Sequence, residues 1–141
     1  MRHHAFTVTE LIFVIFILGG LAATAVAKMD GMADHTKEIQ LKAFNGTLNR
    51  TSGAGFWSRS LENDRNGSIA YPEYDAALGQ HIELVPGYTS GPSFENCNAD
   101  GNGVFLSYLF SAHYEIRCKD GNRDEGPKFR LYRADTDEYL D

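Results

Sequence analysis

Two hydrophobic periods divide the chain. From Leu11 to Ala27 the sequence LIFVIFILGGLAATAVA is apolar on every side. As a helix its seventeen residues rise about 26 Å, close to the roughly 30 Å of a bilayer core. Beyond it, apolar residues recur in steps of three and four. Met29, Met32, Ile39, Ala43, Ala54, Trp57 and Leu61 fall on one stripe, with Thr36, Thr47 and Arg50 in its gaps. Leu41, Phe44 and Leu48 form a neighbouring stripe. This spacing predicts an amphipathic helix, and Glu38 and Lys42 add an i,i+4 pair on its polar side. One long helix is expected from about Phe6 to Leu61, its first stripe packed as core and its second half weakened by Gly46, Gly53 and Gly55.

The period then changes. ENDRNGS is a cluster of helix breakers. YPEYDAAL reads as a short helix, with Pro72 tolerated in the first turn. The stretch from Gly79 to Gly103 is mainly loop, with one short strand expected near Ile82 to Val85. VFLSYLF and HYEIRC read as a hairpin turning at Ser111-Ala112, and KFRLYR alternates as a third strand. The tail ADTDEYLD is acidic edge or coil. These elements predict an α+β fold: a long N-terminal helix, its first half of membrane-spanning length, packed on a small antiparallel sheet.

Length and charge narrow the function. The chain has 141 residues, enough for one domain. Its formal net charge is −6 and no Lys/Arg-rich patch occurs, so nucleic-acid binding has no electrostatic support. No G-x-S-x-G, H-E-x-x-H or phosphate loop is present. His81 and His113 are isolated, and Ser107 near His113 makes no dyad. The reading is therefore not an enzyme, and no cofactor is required.

Glu10 breaks the hydrophobic pattern. It lies at the mouth of the apolar run, where an ionisable group costs at least about 2.5 kcal/mol and usually has a partner. The nearest cation, Arg2, and His3 and His4 lie on the far side of Phe6. The basic start MRHHA, the apolar run and Ala25-Val26-Ala27 fit a secretory signal peptide cut after Ala27. That cut would release a small exported binding protein, with calcium as a candidate ligand. A plain signal anchor oriented by Arg2 fits as well. The third reading is a resemblance: AFTVTELIFVIFILGGLAATAVAK is similar to the N-terminus of type IV pilins and type II secretion pseudopilins.

The resemblance covers roughly residues 1 to 28. It implies a leader, residues 1–5, that a prepilin peptidase removes on the cytoplasmic side between Ala5 and Phe6. The new amine of Phe6 would be N-methylated, and the Glu10 carboxylate would meet that amine on a neighbouring subunit. Residues 6–27 would form the transmembrane and filament-core helix, and residues 28–141 a pilin-like head. The implied partners are homologous pilin subunits, the peptidase and an inner-membrane assembly platform. The chain would sit once across the inner membrane before assembly and in a periplasmic or extracellular filament afterwards. Two departures stand out. Ala5 replaces the usual glycine before the cut, and Ala27 stands where the family often has a proline. The resemblance also implies a C-terminal disulfide beside the sheet, a role that Cys97 and Cys118 match by location. An even cysteine count beyond a membrane-length segment points the same way.

One loop has a metal-like spacing. Glu62, Asp64 and Asn66 stand at positions 1, 3 and 5 of an EF-hand-like run, with Gly67 at 6 and Glu73 at 12. Oxygen donors at odd positions, a turning glycine and a final glutamate suit calcium. Glu at position 1, Pro72 at position 11 and the lack of a paired hand favour an ordinary polar turn. NADGNG at Asn98 to Gly103 repeats only the first half of the pattern. Asn45, Asn49 and Asn66 each begin an N-x-[ST] sequence, and Asn66 also has Asp64 two residues before it.

Overall fold

The computed structural model describes residues 7–140, without the side chains of residues 24–31 and 52. The chain divides into two units, Met1–Thr36 and Lys37–Asp141. Helix α1 (Val8–Thr47) contributes residues to both.

Between Leu11 and Leu21 the helix is apolar all round. Val8, Leu11 to Leu18 and Leu21 are all exposed, Phe16 to 83%. A helix with no polar face belongs in a core or in lipid. Among the described residues no helix is long and apolar enough to cross a membrane. The expected span runs on through Thr24 to Ala27, whose side chains lie outside the described residues. The expected cut between Ala5 and Phe6 also lies outside them.

The second unit is α+β. Helical backbone continues through a π-helix (Leu48–Gly53) into α2 (Ala54–Glu62), and α3 (Glu73–Leu78) follows with Pro72 as its N-cap. Five antiparallel strands in sequence order make one sheet. They are β1 (Tyr88–Ser90), β2 (Gly103–Leu109), β3 (His113–Lys119), β4 (Lys128–Arg133) and β5 (Glu138–Tyr139). The β2–β3 hairpin and β4 stand where the alternation of apolar residues placed them. The strand expected near Ile82 to Val85 does not form; Ile82 is instead a buried plug ahead of Pro86 and Gly87, and β1 pairs with β2 further on.

Period two explains the inner face of the sheet. Tyr114, Ile116 and Cys118 of β3 are buried, as are Phe129 and Leu131 of β4. On β2 the register shifts between Val104 and Leu106, so Phe105 and Leu106 are both buried. That irregularity is a β-bulge, which re-aims a side chain at the cost of one ladder position. Phe94 lies at the centre of the core, with ring centroids 4.7 Å from Phe105 and 5.5 Å from Phe56.

The helical face differs from the expected stripe. Met32 is 68% exposed and Ile39 56%, and Ala43 and Ala54 are exposed too. Leu41, Phe44 and Leu48 are buried instead and join the sheet residues in a single cluster. The larger side chains of the second stripe offer more area to remove from water. The π segment then shifts the phase, so a straight line from Met29 to Leu61 cannot stay on one face. Past it, Phe56 and Ser60 face inward.

Polar contacts fix the helices to the sheet. Asn49 Nδ2 donates to the carbonyl of Phe129 at 2.8 Å, and the Phe129 amide donates to Asn49 Oδ1 at 2.9 Å. Asn45 Nδ2 adds a 3.2 Å bond to the same carbonyl. Arg133 reaches Glu38 at 2.6 Å and the Tyr114 hydroxyl at 2.9 Å. Trp57 Nε1 donates to the carbonyl of Asn122 at 2.8 Å. Gly67 makes that contact possible: its φ is +80°, and a Cβ there would stand 2.3 Å from Asn122 O and 2.5 Å from Trp57 Nε1. Asp120 closes the same corner by accepting from Ser68 Oγ and from the Ile69 and Gly121 amides.

Cys97 and Cys118 are disulfide-bonded across 21 residues, tying the segment before β2 to β3. Replacing both with serine is expected to lower the unfolding free energy by about 3 kcal/mol, the loop-entropy figure for a closure of this size. Urea melts of the oxidised wild type and the variant measure it, and a loss well under about 1 kcal/mol contradicts the assignment.

Glu125 accepts from Lys128 and, at 3.0 Å, from Lys119. These bonds, Lys128 first, lower its pKa to about 2. A lowered carboxylate pKa favours the folded state above the ordinary glutamate range, and that contribution is lost as pH falls through about 2. A carboxyl-carbon NMR titration is expected to show Glu125 still ionised near pH 3, below the ordinary midpoint of about 4.3. The Lys119→Ala, Lys128→Ala double variant should titrate near that ordinary midpoint.

Candidate functional site

Glu10 sits in the first turn of α1, directly beneath Thr7. Its Oε2 accepts from the Thr7 amide at 2.9 Å and from Thr7 Oγ1 at 3.0 Å. Thr7 Oγ1 accepts in return from the Glu10 amide at 3.4 Å. This is a reciprocal capping box, in which hydroxyl and carboxylate satisfy helix amides that otherwise lack partners. Its T-x-x-E signature, Thr7-Val8-Thr9-Glu10, is plain in the sequence. A reading of Glu10 as a charge alone does not reveal it. The positive end of the helix dipole also favours a carboxylate in this turn.

The box uses one oxygen. Among the described residues, Oε1 of Glu10 has no hydrogen-bond donor. Glu10 lines an open concavity of about 390 Å³ together with Thr9, Phe13 and Val14. The site therefore pairs an available carboxylate oxygen with a large uncovered apolar surface.

The calcium-like loop has a different organisation. Glu73 opens α3 and its carboxylate pairs with Arg65. The Arg65 guanidinium also lies over the Tyr71 ring, 4.3 Å from its centroid. Asp64 and Asn66 both adopt left-handed backbone, each with φ of 56°. Among the described residues no group of three or more His, Cys, Asp or Glu side chains converges to hold a metal. Glu62, Asp64, Asn66 and Glu73 are thus not brought together, and Arg65 supplies the cation that Glu73 meets.

The asparagines separate by burial. Asn45 is 5% exposed, and Asn49 is bonded to Phe129 through both ends of its amide. Both amides are committed to the fold, whereas Asn66 is exposed. His113 lies within 4.0 Å of Glu115 on β3, and His81 follows α3.

No family model, curated protein or solved structure matches the chain.

Removing the capping hydroxyl tests the N-terminal geometry. Thr7→Ala is expected to cost about 1 kcal/mol of local helix stability, read as faster amide exchange at residues 8–11. Thr7→Ser should restore protection, and equal exchange in all three proteins would contradict the box.

Proposed function

We propose that the chain is a structural subunit of a type IV pilus or related pseudopilus. Prepilin peptidase would process it between Ala5 and Phe6, and it would assemble through its hydrophobic N-terminal helix. The observation that carries this reading is the carboxylate of Glu10 at the head of a fully apolar helix. Its own capping box satisfies one oxygen, and a second oxygen remains for the amine of a neighbour's Phe6. The resemblance of residues 1–28 to the pilin leader supports it. So do the α+β head and the disulfide beside its sheet.

The physical logic is a division of labour. Before assembly, lipid covers Leu11 to Ala27, and the capping box makes the buried carboxylate tolerable. During assembly the apolar surface passes from lipid to the helices of other copies. An amine at the new N-terminus then adds a charge pair whose worth rises in a low dielectric. Removing one member of such a pair is strongly unfavourable. Work comes from a separate motor, and the chain supplies shape and adhesion between copies.

Two measurements test this. Mass spectrometry of the mature protein is expected to show N-methylated Phe6 as its first residue; a chain beginning at Lys28 would defeat the proposal. Glu10→Leu should still enter the membrane while filament yield falls by at least about tenfold, because the neighbour's amine loses its partner. Abundant filaments built only of Glu10→Leu subunits would count against it.

A further inference from the structure

We propose that the 37–141 unit carries a pocket for a compact oxyanion of phosphate or carboxylate type, formed by α2 and the chain after α3. The cavity measures about 350 Å³ and is lined by Thr51, Gly55, Phe56, Arg59 and His81. Thr51, Gly55 and Arg59 follow one another at four-residue steps, so they share a stripe running from the π-helix into α2. Side chains on a helix lean toward its N-terminus, which carries the Arg59 guanidinium back over Gly55. The stripe is notched there: no atom lies within 4 Å of the place a Gly55 Cβ would occupy. Buried Phe56 forms the floor, and the His81 ring stands opposite, 6.3 Å from the Phe56 ring.

Arg59 and His81 are both exposed. Among the described residues neither side chain enters an ion pair or a hydrogen bond with a protein group. The chain has six more acidic than basic residues, so acidic partners are not scarce. Arg65, Arg117 and Arg133 each meet a carboxylate. A place in the last turn of α2 would account for one cation through the helix dipole. It does not account for a second donor across a cavity, nor for a glycine that leaves the space between them open. The guanidinium presents a rigid fork of N–H donors suited to phosphate and carboxylate oxygens. The adjoining π-helix adds weight, since such segments occur frequently at functional sites. The pocket does not depend on how the N-terminal segment is processed.

The test uses the full chain, ¹⁵N-labelled in non-ionic detergent and titrated with sodium phosphate and with sodium acetate. Sodium chloride at matched ionic strength is the reference. Saturable shifts at the Gly55, Arg59 and His81 amides are expected with at least one of the two oxyanions. Saturation by phosphate alone assigns a dianion site, and saturation by both assigns recognition of the shared oxygen edge. Arg59→Gln should weaken binding at least about tenfold. Gly55→Leu should abolish it by filling the notch; leucine is the better helix former, so the fold is retained. Arg123→Gln, on the exposed β3–β4 loop, should change nothing. A response that chloride reproduces, or one that persists unaltered in Gly55→Leu, overturns the proposal.

Discussion

The 37–141 unit depends on a side chain acting as a strand. At Phe129, β4 faces β3 on one side, while β5 covers only Tyr132 and Arg133 on the other. The outer amide and carbonyl of Phe129 would otherwise form a raw sheet edge, the feature that invites pairing with another chain. Asn49 presents its own carbonyl and amide in their place. This two-point contact holds the helical segment at one distance and one rotation over the sheet. Leu41, Phe44 and Leu48 can then enter the core together. The π-helix follows from the same demand. Asn45 and Asn49 must both reach Phe129, and Gly53 must lie against it, with a Cβ there 3.8 Å from the Phe129 ring. A wider turn brings the sequence to those contacts where a regular α-helix drifts past them.

How much of this could be read from the sequence depends on the range of the forces involved. β2, β3 and β4 announced themselves because a half-buried strand must alternate, and that rule is local. The helix was legible as a helix but not in its facing. Two apolar stripes competed, and the choice rested on partners more than eighty residues away, such as Phe129. Asn49 illustrates the same limit. Its N-x-[ST] spacing is a local feature, yet its amide is spent on a distant main chain. Nothing near residue 49 encodes that. Glu73 is the intermediate case. Its spacing suits a ligand, and in the structure its carboxylate pairs with the chain's own Arg65.

The N-terminus reverses the lesson. There the decisive contact is short-range, three residues apart, and visible as T-x-x-E. Reading Glu10 only as a charge in need of a counter-charge hid its role as a hydrogen-bond acceptor. On the filament reading, cap and charge partner are compatible because a carboxylate has two oxygens and the cap occupies one. A glutamine could make much of the cap but could not attract an amine by charge. An aspartate would be too short for the same reach. On that reading, glutamate is the residue that serves both ends.

On the filament reading, the apolar segment itself explains why a polar group must direct assembly. Ten large side chains between Val8 and Leu21 stand exposed on the single chain. At about 1.5–3 kcal/mol each, covering them is worth on the order of 15–30 kcal/mol. That matches or exceeds the whole stability of a small domain, about 5–15 kcal/mol. Lipid would cover such a surface without any preference for direction or partner. A neighbouring apolar helix does so almost equally well, because lipid tails are as apolar as leucine and no hydrophobic force separates the two. On the filament reading, the apolar helix therefore sets where the subunit resides but not which copy it meets or at what offset. Those choices fall to groups that lipid cannot satisfy, and within Val8 to Leu21 the one ionisable group is Glu10.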